Sequence, residues 1–215
     1  MSRVDARCPN CGAPVVFRWS SSVQTVCEHC RSILVRRDVD LTKVGEVSDL
    51  PPDPSPIQLA TTGRYRDRPF TVVGRIVYEY DDGYWNEWHV AFDGGENGWL
   101  SDAMLDYAVS RPAPLPKGFE TRRTLARSDT LLIDDRLYTV TTVTTARYRG
   151  VEGELPFESW HRREVVFADL RTHDRRFATV DYGDVPPTLY VGEAMDFDDL
   201  ALRGLKAFDG WPAPA

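Results

Sequence analysis

From residue 69 to residue 99 large apolar and polar side chains alternate. Phe70 to Tyr80 is rich in Val, Ile, Thr and Tyr, "DDG" has turn chemistry, and Tyr84 to Phe92 resumes the alternation before "DGGENG" and a short strand at Trp99. This pattern predicts a β-meander. In its second strand Trp88, Val90 and Phe92 point to one face, while Trp85, Glu87, His89 and Ala91 point to the other. The even-numbered row is the expected core. Trp85 shares its face with charged groups, so two readings stand: it caps the edge of a small barrel or packs on another unit, or it belongs with Trp160 to an aromatic platform for a partner.

The pattern recurs further along. "PFTVVGRIVYEY" at 69–80 aligns with "LYTVTTVTTARY" at 137–148 at an offset of 68; Trp85 then matches Trp160 and Phe92 matches Phe167 at 75, and Trp99 matches Phe177 at 78. Offsets that grow only at turns are those of a tandem repeat with loop insertions. Proline clusters at 50–56 and 111–118 mark boundaries. "DLTKVGEVSDL" before the first of them reads as a short helix or a loop. Near the end, "DFDDLALRGLKAF" places Phe197, Leu200, Ala201 and Leu205 on a helical stripe behind an acidic first turn. The expected fold is mainly β: an N-terminal zinc ribbon (1–46), two tandem small β-barrel-like units (57–110 and 119–191), and a short C-terminal helix of about 196–208 within a tail spanning 192–215.

The ribbon rests on four cysteines, Cys8-x-x-Cys11 and Cys27-x-x-Cys30, with fifteen residues between the pairs. Two such knuckles aim four thiolates at one tetrahedral ion, and the intervening residues read as a hairpin, with strands around Pro14 to Trp19 and Val23 to Val26. Two disulfides or a redox pair would use the same residues. A cytoplasmic setting disfavours the first, and a lone redox pair has no need of the second knuckle. Four thiolates leave no open position, so Zn2+ here is structural. His29 lies inside the second knuckle, but Cys8, Cys11, Cys27 and Cys30 remain the expected ligands. So small a module draws much of its folding free energy from the metal.

Composition narrows the function. The chain has 215 residues and a formal charge of −7, which repels nucleic acid and anionic lipid. Residues 1–43 carry seven basic and four acidic groups, a mild +3 that leaves nucleic-acid contact as an alternative. No signal peptide or membrane span is readable, and the expected location is cytoplasmic, with any membrane association indirect. His89, His161 and His173 fall in separate elements, and phosphate loops and nucleophile elbows are absent, so no enzyme is expected. The leading expectation is a non-catalytic adaptor or sensor acting through a protein partner. The other alternative is a binder of a cationic small molecule such as a polyamine, for which Glu79, Asp81, Asp82, Trp85 and Glu87 supply suitable groups.

The stretch "PFTVVGRIVYEYDDGYWNEWHVAFDGGENGWLSDA" resembles the core motif of the bacterial family of domain of unknown function 4178. "CPNCG" and "PTLYVGEAMDFDDLALRGLKAFDGW" at 187–211 are similar to ribbon-bearing, two-copy members. The resemblance implies an accessory role in bacterial gene clusters that also encode polyamine-synthesis-like enzymes, small membrane proteins, ion channels and membrane-stress coat proteins. It assigns no catalytic or ligand-binding residue. The second copy lacks the "WNEW" and "GWL" signatures.

Overall fold

Fifteen strands account for nearly all regular structure in the computed structural model, which describes residues 5–37, 40–47, 50, 54–119, 124–158 and 164–208. Five belong to the N-terminal module: β1 (Asp5–Arg7), β2 (Pro14–Val16), β3 (Gln24–Val26), β4 (Ser32–Arg37) and β5 (Asp40–Glu46). The expected hairpin between Pro14–Trp19 and Val23–Val26 does not form. Instead β1 pairs with β2, and β3 pairs with β4, because each Cys-x-x-Cys turn closes its own hairpin. The stretch read as helix or loop before the first prolines is strand β5, paired to β4.

The remaining strands form two similar series. The first comprises β6 (Thr62–Tyr65), β7 (Arg68–Tyr80), β8 (Gly83–Phe92), β9 (Asn97–Ala103) and β10 (Asp106–Ala113); the second comprises β11 (Thr130–Ile133), β12 (Arg136–Leu155), β13 (Glu164–Arg171), β14 (Arg176–Asp181) and β15 (Thr188–Met195). Each series is an antiparallel meander with its own core. Trp88, Val90, Phe92, Leu100 and Val109 fill the first; Val140, Leu170, Ala178, Val180 and Leu189 fill the second. The alternation read for β8 holds, since its even-numbered row is the buried one.

The two meanders are not separate barrels standing side by side. β7 pairs with β12 along one edge and β10 with β15 along the other, so eight strands close into a ring in the order β7-β8-β9-β10-β15-β14-β13-β12. Closure removes the open edges that each meander alone would expose. Backbones meet closely at these seams: a Cβ on Gly74 would lie 1.9 Å from the Glu154 carbonyl oxygen, and one on Gly192 would lie 1.8 Å from that of Val109.

Strand register settles how the copies correspond. An offset of 68 takes Val72 and Gly74 to Val140 and Thr142, and both pairs flank a β-bulge. From the next strand onward the offset is 80: Val90, the partner of Val72, corresponds to Leu170, the partner of Val140. The same 80 relates Arg111 to Val191, which pair with each other across the seam, as two-fold related residues must. The step of 12 falls in the longer β12 and the turn after it. The offsets of 75 and 78 are therefore corrected. Trp85 corresponds to Val165, Phe92 to Thr172 and Trp99 to Thr179, because register is set by the bulge and not by matching aromatic residues.

The segments leaving the two halves are exchanged. After β10, Leu115 and Phe119 cover the second core; after β15, Phe197, Leu200, Leu202 and Leu205 cover the first. This is why the expected C-terminal helix is absent. Residues 198–200 make one 3-10 turn, Ala201 turns left-handed at φ 46°, and Arg203 bridges to Thr62 on the edge of β6. Tertiary burial of the leucines and that edge pairing outweigh a weak helical preference.

Candidate functional site

In the N-terminal module the two knuckles converge. The Sγ atoms of Cys8, Cys11, Cys27 and Cys30 all lie within 4.8 Å of one another, with Cys8 to Cys30 at 3.6 Å and Cys11 to Cys27 at 3.8 Å. Disulfide sulfurs would stand about 2.05 Å apart. A tetrahedral ion with bonds of about 2.3 Å to sulfur sets edges near 3.8 Å, so the four thiols could hold one metal ion. Each knuckle is closed by a backbone bond back to its first cysteine, Gly12 to Cys8 at 2.8 Å and Arg31 to Cys27 at 2.9 Å. Both closing residues are left-handed, Gly12 at φ 75° and Arg31 at φ 57°, and for Arg31 that conformation costs about 1 kcal/mol. Val15, Phe17 and Leu34 pack beneath the cluster.

A buried carboxylate clasps this module to the ring. Glu154, 1% exposed near the end of β12, accepts from the backbone N–H of Arg18 at 2.5 Å and of Trp19 at 2.9 Å, and from the Ser22 hydroxyl. β3 pairs with the same stretch of β12, so the sheet continues from ring to module. The Trp19 indole donates to the Gly95 carbonyl at 3.0 Å and meets the His89 ring edge-on at 4.9 Å. His89 is fully buried. Asn97 donates to its Nε2 at 3.1 Å, so Nδ1 carries the proton and donates to the Glu154 carbonyl at 2.8 Å. Burial pushes its pKa down to about 4, and the ring is neutral. Trp99 lies against His89 at 5.2 Å and against Phe157 at 6.0 Å. His89, Trp99, Trp19 and Phe157 thus fill one end of the ring.

The rest of the ring interior holds a cavity of about 360 Å³. Its wall is the odd-numbered row of β8 and the matching rows of the other strands: Tyr78, Trp85, Phe167 and Tyr190 supply aromatic surface, and Glu87, Asp169 and Asp181 supply carboxylates. Trp85 stacks on Tyr78 at 5.0 Å and meets Phe167 edge-on at 5.7 Å. Its indole N–H donates to Glu87 Oε1 at 3.0 Å, and the Ser101 hydroxyl donates to Glu87 Oε2 at 2.8 Å. The accessible area that Glu87 retains faces the cavity. Burial outweighs these two donors and pushes its pKa up to about 8. Burial also raises Asp169, with the charge of nearby Arg171 pulling the other way. The exposed members of the lining are Met104, Asp106, Thr142 and Arg171, and at the rim opposite His89 Arg171 lies 4.0 Å from Asp106.

The four cysteines meet as their spacing requires. Trp85 does not stand on an outer face; it lies in the cavity wall. Trp160 and His161 lie outside the described residues, as does Trp211. Glu154, Asp169 and Arg171 escaped sequence reasoning. For Asp169 a signal was available, because the row Val165, Phe167, Asp169, Arg171 alternates as Trp85, Glu87, His89 does, with an acid inside a row of large side chains. For Glu154 there was none, since its partners are more than 130 residues away.

No helix among the described residues is long and apolar enough to cross a membrane. No curated protein and no solved structure matches the chain. The model of one family matches residues 58–197, which span every ring strand and both small hairpins, and on that match the chain belongs to the family described as Domain of unknown function (DUF4178).

Proposed function

We propose that the protein is a non-catalytic receptor for a small cationic ligand, such as a polyamine, built from a zinc ribbon fixed to a two-copy β ring. One observation carries this reading. Four carboxylates line the cavity, Glu87, Asp169 and Asp181 within it and Asp106 at its rim, among aromatic, aliphatic and hydroxyl groups, and Arg171 at the rim is the only cationic side chain in the lining among the described residues. Carboxylates kept from water favour a positive guest, and aromatic faces add cation–π attraction and apolar contact for methylene groups. Zinc is the ion that suits four thiolates at tetrahedral separation, and its part here is architectural. Reduced thiolates accord with a cytoplasmic setting.

The adaptor reading stands second, favoured by Met104 and Leu105. These are 85% and 81% exposed on the tight turn at the cavity rim, where a protein partner could sense an occupied ring. Thermal-shift titration with spermidine against matched sodium and magnesium controls tests the receptor. At a ligand concentration of 100 times Kd the gain is about 2.7 kcal/mol, and Glu87→Gln should weaken binding at least tenfold. A melting temperature indifferent to amines, or binding equally strong in Glu87→Gln and Asp169→Asn, would refute it.

A further inference from the structure

We infer that Arg171 is a built-in competitor of the ligand, a tethered cation that rests at the cavity mouth and sets which amines displace it. The inference rests on the cationic-ligand reading. Arg171 closes β13, in the same inward row as Phe167 and Asp169. Its guanidinium lies 5.6 Å from the centre of the Phe177 ring, its cross-strand neighbour, and 4.0 Å from the Asp106 carboxylate. Phe177 also lines the cavity. The arginine therefore uses one of the aromatic faces, and part of the negative field, that an arriving ammonium would use.

Among the described residues these two loose contacts are all that hold it there. Its side chain is 43% exposed, that of Asp106 is 83% exposed, and 4.0 Å is the outer limit of an ion pair. Such a pair is weak and easily exchanged. By contrast Arg75, the buried cation of the first unit, is fixed by Asn86 at 2.7 and 2.9 Å and by Glu152 at 3.1 Å, and it plays no part in the cavity. The offset of 80 puts Ala91 and Asn97 where the second unit has Arg171 and Phe177, so the device exists only at the open end.

Calorimetric titration of spermidine into the metal-loaded protein and into Arg171→Ala and Arg171→Lys tests this. Removal of the tethered cation should tighten binding about fivefold, the scale expected of one cation–π contact and one exposed charge pair. Arg171→Lys, which keeps a cation, should stay within twofold of the parent. If the parent binds spermidine and Arg171→Ala binds it equally or more weakly, the competitor role is overturned while the receptor stands. If neither the parent nor Arg171→Ala binds, receptor and competitor fall together.

Discussion

The two ends of the ring interior are related by the same 80-residue offset and have opposite contents. At one end the inward pair on β8 and β9 is His89 with Trp99; at the other the corresponding pair on β13 and β14 is Asp169 with Thr179. The bulky pair is backed by Trp19 and sealed by the cysteine module, while the small polar pair leaves a space beside Asp106 and Arg171. Two meanders of like topology thus enclose a cavity open at one end, through two differences of side-chain size and the addition of a plug. Closing the ring took both copies. The cavity lies where they differ.

The largest effect should come from removing the plug. On the proposal that the four thiols hold a structural metal, chelation removes a ligand whose binding free energy in small thiolate modules is on the order of 10 kcal/mol and drives folding. We expect loss of ordered structure in residues 5–46 and exposure of Trp19, seen as a red shift in tryptophan emission, with the ring still folded. Next, Glu154→Ala leaves two backbone N–H groups and a hydroxyl without their acceptor, and should cost about 3–5 kcal/mol in denaturant unfolding. Trp99→Ala tests the sealed end itself: a cost of about 3–4 kcal/mol in stability and a second opening for solvent, checked by faster hydrogen exchange around His89. The complementary change, Thr179→Trp, should fill the open end and abolish amine binding while the fold, followed by circular dichroism, survives.

The smallest expected effects are those of pH. Glu87 is raised to about 8 in the folded protein from an ordinary 4.5, so the folded state binds the proton more tightly than the unfolded chain. Its stabilising contribution is complete below about pH 4.5 and fades as pH climbs toward 8. Glu87→Gln should flatten that slope. His89 works the other way: lowered to about 4 from 6.5, it destabilises the fold as pH falls from 6.5 toward 4. Denaturation midpoints across pH 4 to 9 would separate the two trends.

Much of this arrangement was legible in the chain and some was not, for physical reasons. Cysteine spacing is local chemistry, and it predicted the four-thiol cluster. Alternation is also local, so it placed Trp88, Val90 and Phe92 in a core. It could not say what the opposite row faced, because whether Glu87 meets water or a second meander depends on seams between residues about 70 to 90 positions apart. The likeness of the two meanders was partly visible, but the aromatic matches set the wrong register between them. Trp99 and Phe177 look alike, yet register pairs Trp99 with Thr179, and that very mismatch makes one end full and the other empty. The C-terminal helix failed because Leu200, Leu202 and Leu205 serve the first core from a single 3-10 turn and the irregular chain after it.

The most direct test of the cavity is to count the protons that leave it. Spermidine titrated calorimetrically at pH 7 in buffers of different ionisation enthalpy should bind one molecule per chain, with a net release approaching one proton per cation as Glu87 ionises beside its guest. That release should disappear in Glu87→Gln. An absence of binding heat in every buffer, or binding whose proton count is the same with and without the Glu87 carboxyl, would contradict the account.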